Sequence, residues 1–143
     1  MKKNIGLLLL IISSNIYSQG NNDSCKSLKK GVFEIYENGE KIGKVYRKEN
    51  YQLEDYFNGK GLSKVRIKSD KCKLYFNSYK IEKDLDTITW VASYTKKERN
   101  LYSFIAKPLY LKIGYTYVGE IKKINDKIRD KKVLEIFKAL ENK

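Results

Sequence analysis

No histidine occurs among the 143 residues, which removes imidazole acid/base work, His-based metal sites and Ser-His or Cys-His nucleophile pairs. Two cysteines, Cys25 and Cys72, cannot supply a structural zinc set. The glycines fall at turns and strand ends, and no phosphate-cradling loop is among them. Acid pairs are the remaining catalytic option. Glu54 and Asp55 adjoin on a strand, so their side chains leave on opposite faces and cannot share a site. Glu34 or Glu54 could meet another carboxylate only across a sheet, and ordinary surface exposure is the expectation for such acids. The inventory therefore predicts a protein without catalytic residues, metal ligands or cofactor.

A different kind of chemistry is open to Arg47, Gln52 and Glu54. If Glu49-Asn50 forms a two-residue turn, Arg47 stands opposite Gln52 and diagonal to Glu54. All three then share a face, with Tyr46 and Leu53 on the other. Lining a barrel, this polar cluster would hold a ligand; otherwise it is a hydrogen-bonded group that fixes strand register, the commoner role of an isolated Arg-carboxylate pair. Aromatic residues interleaved with lysine, as at Tyr75, Phe76 and Tyr79 with Lys73 and Lys80, could stack bases or sugars in a groove. Tyrosine is also a favoured strand residue with one wet end.

These residues depend on strands to position them. From Gly31 to Ile121 the dominant period is two, punctuated by Gly, Asn and Asp at hairpin intervals. The alternation predicts strands over Gly31 to Tyr36, Ile42 to Arg47, Tyr51 to Phe57, Leu62 to Lys68, Cys72 to Tyr79, a segment carrying Ile88, Trp90, Ala92 and Tyr94, Leu101 to Ala106, and Leu109 to Ile121. Asn38-Gly39, Glu49-Asn50, Asn58-Gly59-Lys60-Gly61 and Ser69-Asp70-Lys71 are the expected turns. Pro108 belongs at a break or an edge. The fold class is all-β, an antiparallel meander of about eight strands forming a lipocalin-like barrel or half-barrel. The period then changes: Val133, Ile136, Phe137 and Leu140 lie on one stripe of a short amphipathic helix that Asp130 is placed to cap. Its apolar face is expected over a sheet edge or barrel end, with a membrane surface as the rival.

The N-terminus sets the compartment. Lys2 and Lys3, an uncharged run from Ile5 to Ile12 and a polar stretch ending at Ser18 make a secretory leader with Gln19 as the new N-terminus, a cut after Gly20 being the alternative. Ile5 to Ile12 is far short of the roughly 20 residues needed to span a bilayer, so no transmembrane span is expected. Acylation of Cys25 would require a leader ending directly before it, and Asn22, Asp23 and Ser24 stand there instead. Export to the periplasm or medium turns an even cysteine count into a Cys25–Cys72 disulfide, with two buried free thiols as the alternative. The expected organisation is a signal peptide over 1–18, an N-terminal segment with Cys25 over 19–30, a β domain over 31–122 and a helical segment packed on it over 123–143, acting as a monomer.

Charge is the loudest feature of the composition, with 30 Lys and Arg against 17 Asp and Glu and a formal net charge of +13. It points toward an anionic polymer, nucleic acid or glycan. Only Arg47, Arg66, Arg99 and Arg129 are arginines, however, and arginine is the side chain that forks onto phosphate. A solvated lysine face from composition bias is the plainer reading.

The segments Cys25-x5-Gly31-x-Phe33, Arg47-x4-Gln52-x-Glu54, Val65 to Cys72-x2-Tyr75 and Gly119-x-Ile121 resemble a family of small exported proteins of Bacteroidetes. Lys68-Ser69 departs from it where a Trp is frequent before the second Cys. Some members carry the label DNA topoisomerase IV, which an exported chain with no ATP-binding loop does not support. The resemblance implies that Cys25, Gly31, Arg47, Gln52, Glu54 and Cys72 are framework positions, and it implies no reaction. The expected function is non-enzymatic: binding of a small hydrophobic ligand or an envelope-associated role, with an anionic polymer on the lysine face as the alternative.

Overall fold

Turn chemistry shows first in the structure, a computed structural model that describes residues 25–57, 59, 61–78, 89–109 and 116–143. The leader over 1–18 lies outside the described residues, as do Asn58, Lys60, Tyr79, Lys80, Ile88 and positions 110–115 of the expected last strand. β1 (Gly31–Glu37) and β2 (Glu40–Lys48) are joined by Asn38 and Gly39 at φ 51° and 80°. Both angles are positive, as in the hairpin turn whose twist matches that of its strands. Glu49, also at φ 51°, and Asn50 connect β2 to β3 (Tyr51–Tyr56).

β4 (Leu62–Asp70) and β5 (Lys73–Ser78) are joined by Lys71 and Cys72, which moves the expected turn toward the C-terminus. Ser69 and Asp70 extend β4, and Cys72 sits in the turn itself, where Cys25 reaches it with Cα atoms 5.2 Å apart to form the disulfide. β6 (Thr89–Lys96), β7 (Leu101–Pro108) and β8 (Tyr117–Asn125) complete the set. Pro108 ends its strand. β8 runs three residues beyond 122, because Val32 of β1 pairs with Asn125.

Each strand pairs antiparallel with its sequence neighbours, and β8 pairs back onto β1, with Ile35 opposite Ile121 and Tyr36 opposite Glu120. The sheet is a closed eight-stranded barrel, which leaves no unpaired edge. Closure needs tight strand approach. A Cβ on Gly119 would stand 2.8 Å from both the Tyr36 carbonyl oxygen and the Phe104 ring, and one on Gly43 would stand 2.6 Å from the Asp55 carbonyl oxygen. Only glycine leaves that space free.

The period of two sends one residue set inward. Phe33, Ile35, Val45, Tyr102 and Ile121 form a buried cluster into which Cys25 and Leu28 insert from the N-terminal segment. That segment makes a single 3-10 turn, Lys26–Leu28, and plugs the barrel end that carries the β2–β3, β4–β5 and β6–β7 turns. Ser27 ties the plug down: its hydroxyl lies 2.6 Å from the Tyr102 hydroxyl, and its carbonyl accepts from Lys123 Nζ at 2.7 Å. Outward positions include Glu34, Lys44, Arg66, Lys68 and Lys122. Charges outside and apolar residues inside reverse the pattern of a barrel embedded in lipid. No helix among the described residues is long and apolar enough to cross a membrane.

The helix α1 (Lys131–Glu141) starts at Asp130, whose carboxylate accepts from the Val133 amide at 3.2 Å. Its stripe covers neither a sheet edge nor a barrel end. Val133, Phe137 and Leu140 pack on the outside wall, over Leu53 with Tyr46, Tyr51 and Leu62 around it. A closed sheet has no edge to cover, whereas Leu53 is an apolar side chain facing out and fully buried only because the helix lies on it. Phe137→Ala removes a ring with no exposed surface and is expected to lower stability by about 3 kcal/mol in urea titrations. An unchanged midpoint would mean that the helix contributes no packing.

Candidate functional site

Within the barrel, above the plugged end, lies a cavity of about 700 Å³. That is the size of sites for small molecules. Its walls follow from residue size at inward positions: Ala92 on β6 faces Ala106 on β7 across the sheet, and the missing volume is left open between Leu74, Phe76, Trp90 and Phe104. Trp90 stacks beside Phe76 at a centroid distance of 6.4 Å with planes 15° apart, and meets Tyr117 edge-on at 6.3 Å. Toward the far end the lining reaches Glu37, Lys41 and Phe57. At that end β1, β3, β5 and β7 finish and β2, β4, β6 and β8 begin.

The polar end of the cavity is built on β2 and β3, where Arg47 pairs with Gln52 and Val45 with Glu54. Gln52, Glu54 and Tyr56 follow one another at strand period on the inward face. Arg47 Nε donates to Gln52 Oε1, and Gln52 Nε2 donates to a Glu54 carboxylate oxygen. Tyr56 is hydrogen-bonded to Glu54 in turn. Arg47 also donates from Nη1 to the Leu28 carbonyl at 3.0 Å and from Nη2 to the Tyr94 hydroxyl at 2.8 Å. Its guanidinium carbon lies 5.0 Å from the Phe33 ring centroid and 5.4 Å from that of Tyr94. The structure therefore brings Arg47, Gln52 and Glu54 into one chain of hydrogen bonds that links the N-terminal plug to the cavity wall.

Comparisons with known protein families, with curated proteins and with solved structures found no match to this chain. Position and charge divide the polar group into two layers. Arg47 and Gln52 line the cavity at its inner end but are buried, at 2% and 4% exposure. Glu54, Tyr56 and Tyr94 are only partly buried and form the surface a ligand would touch. Burial pushes the Glu54 carboxyl above the usual carboxylate range, against the opposing pull of its bonds to Gln52 and Tyr56 and of the Arg47 charge. Burial also raises the Tyr56 phenol, with the Glu54 charge acting the same way.

Glu54 should thus leave a mark on stability against pH. In the unfolded chain its carboxyl returns to its ordinary value, so between that value and the raised one the folded state holds a proton that the unfolded state has released. Its contribution is greatest below the ordinary carboxylate range and declines as pH rises through that window. Glu54→Gln is expected to be more stable than the parent at pH 8 and to lack this decline in urea titrations from pH 4 to pH 8. Equal slopes for both proteins would contradict the shift.

The sheet divides the aromatic cluster around β5: Phe76 points into the cavity, while Tyr75, on the same face as Lys73, stands outside beside Lys68 and Val91. Adjacent strand residues leave on opposite faces, which divides any sequence-contiguous cluster. Tyr79 and Lys80 lie outside the described residues. Tyr56 and Tyr94 escaped sequence reasoning as site residues. The two-residue spacing from Glu54 to Tyr56 was the available signal for the first; the second needed the strand across the barrel. No cluster of three metal-ligating side chains occurs among the described residues.

Proposed function

We propose that this protein is an exported, non-enzymatic binding protein that holds a small, largely apolar ligand inside its barrel. The observation that carries the reading is the cavity of about 700 Å³, walled by Phe76, Trp90, Phe104 and Tyr117 and ending on a few convergent polar groups. Apolar walls with a small number of placed polar groups are the general form of a small-molecule site. The Cys25–Cys72 disulfide supports export, since such bonds persist in oxidising compartments. Membership of the family of small exported Bacteroidetes proteins is proposed on the short motifs alone. Native mass spectrometry of protein recovered from its own periplasm or culture fluid tests the reading. The expected result is a mature chain starting at or near Gln19 with a small molecule bound; a ligand-free chain that also fails to bind fluorescent apolar probes would overturn it.

A second reading, binding of an anionic polymer, is favoured by one feature of the outer wall. A groove of about 260 Å³ between α1 and β4 is lined by Lys64, Lys132 and Lys143, and Arg66 and Lys68 continue the outward row of β4. Against it, other lysines are answered locally, Lys41 by Glu34 at 3.2 Å and Lys48 by Glu141 at 2.8 Å. Duplex DNA, single strand and a sulfated glycan are each expected to bind more weakly than about 10 μM at 150 mM salt, as non-specific contacts do. Submicromolar binding of any one would favour this second reading over the first.

A further inference from the structure

Arg47 is a buried cation that makes no salt bridge with a carboxylate among the described residues. Its three hydrogen bonds go to a carbonyl, an amide oxygen and a phenol, all neutral acceptors. Removing a charge from water is costly unless it is paired. The nearest acid along the network is Glu54, reached only through the Gln52 amide. Glu54 stands at the cavity surface, beside Tyr56 and across from Tyr94. The Tyr94 oxygen accepts from Arg47, which leaves its own proton to donate. The guanidinium charge, one further amide hydrogen of Gln52 and the Tyr94 phenol together make this end of the cavity a place for an acceptor bearing negative charge, with the Tyr56 phenol engaged on Glu54.

Resting on the reading of the barrel as a ligand carrier, we propose that the ligand is an amphipathic carboxylic acid whose carboxylate lodges beside Glu54, Tyr56 and Tyr94 and takes over from Glu54 as the negative charge that answers Arg47. The apolar body then lies along Phe76, Trp90 and Phe104. Two carboxylates cannot share this site in their charged forms, so the incoming head displaces Glu54 from its part as distant counter-ion. Glu54 takes a proton from solvent and donates it in a hydrogen bond to the ligand. Binding is coupled to uptake of one proton, and affinity for the acid falls as pH rises and Glu54 ionises in the empty protein. Among the described residues, Arg47 from β2 and Tyr56 from its own strand act on Glu54, and Tyr94 from β6 and Tyr117 from β8 act on the neighbouring Tyr56. Lys41 of β2 and Glu37 of β1 stand farther along the wall, and β4 places the uncharged Ser63 opposite.

The test is titration of the mature protein with cis-parinaric acid and its methyl ester at pH 6 and pH 8.5, on the parent and on Glu54→Gln. The acid is expected to bind the parent about tenfold tighter than the ester at pH 6, one pK unit of coupling, and to lose that preference by pH 8.5. Glu54→Gln, which cannot ionise, should keep the preference at both values. Calorimetry in buffers of different ionisation heat should show proton uptake by the parent and none by the variant. Equal binding of acid and ester, a preference unmoved by pH, or tighter binding of the matching alkylamine would overturn the proposal while leaving the carrier reading in place. Failure of acid, ester and amine alike would overturn the carrier reading itself. An Arg47 variant is not needed for any of these outcomes.

Discussion

Opening the Cys25–Cys72 bond is expected to lower the stability of the protein by about 4 kcal/mol, because the bond closes a loop of 47 residues in the unfolded chain. The loss should also have a local component. Cys25 and Leu28 are buried against Phe33 and Val45, and the Leu28 carbonyl receives one of the three Arg47 bonds. Without the tether the plug is held by Leu28, by Ser27 with Tyr102 and by Lys123 on the Ser27 carbonyl. Urea denaturation of the oxidised protein and of a Cys25→Ala, Cys72→Ala double variant measures the difference. Hydrogen exchange of the amides in the plug and at the β4–β5 turn should speed up well before global unfolding. A difference below about 1 kcal/mol would mean that the plug holds without its covalent link, and that the unfolded chain is already compact enough to make the loop cheap.

Replacement of Arg47 by Met should cost about 3 to 5 kcal/mol, in the range for breaking a buried charged network. The variant keeps the volume of the stem but leaves the Leu28 carbonyl, Gln52 Oε1 and the Tyr94 hydroxyl without their donor. Unmet buried acceptors cost about 1 to 3 kcal/mol each, offset in part by the relief of an unpaired buried charge. Arg47→Lys retains the charge yet offers one nitrogen where three separate nitrogens now donate, so it should recover less than half of the loss. Thermal and urea unfolding of both variants, measured at the same pH as the parent, settle the order. A Met variant as stable as the parent would show that the charge costs as much to bury as its bonds return, and would reduce the cluster to its ligand-facing role.

Alternation along single strands carried much of this architecture in the sequence itself. Phe33 and Ile35, Leu74 and Phe76, and Trp90, Ala92 and Tyr94 all face inward as their period of two requires. The turn at Asn38-Gly39 was legible because few residues accept positive φ twice in succession. Arg47, Gln52 and Glu54 fall on one face for the same local reason, given a two-residue turn between them. The α1 stripe and its Asp130 cap are equally local.

What only the tertiary structure decided is whatever depends on curvature and on volumes summed from distant strands. Period fixes a side chain's face but not how far a sheet coils before its first strand meets its last, so the β1–β8 pairing and the removal of edges had no local signal. Closure in turn sent α1 to the outer wall over Leu53 rather than to an edge, since a closed sheet offers none. The cavity arises where Ala92 and Ala106 meet across two strands, and its size is set by side chains from seven strands that no sequence window contains together. The same distance hid the division of the polar cluster. Nothing in Arg47-x4-Gln52-x-Glu54 says that the plug and Tyr94 bury the first two and leave the third at the wall, because the groups that cover them come from the N-terminal segment and from β6.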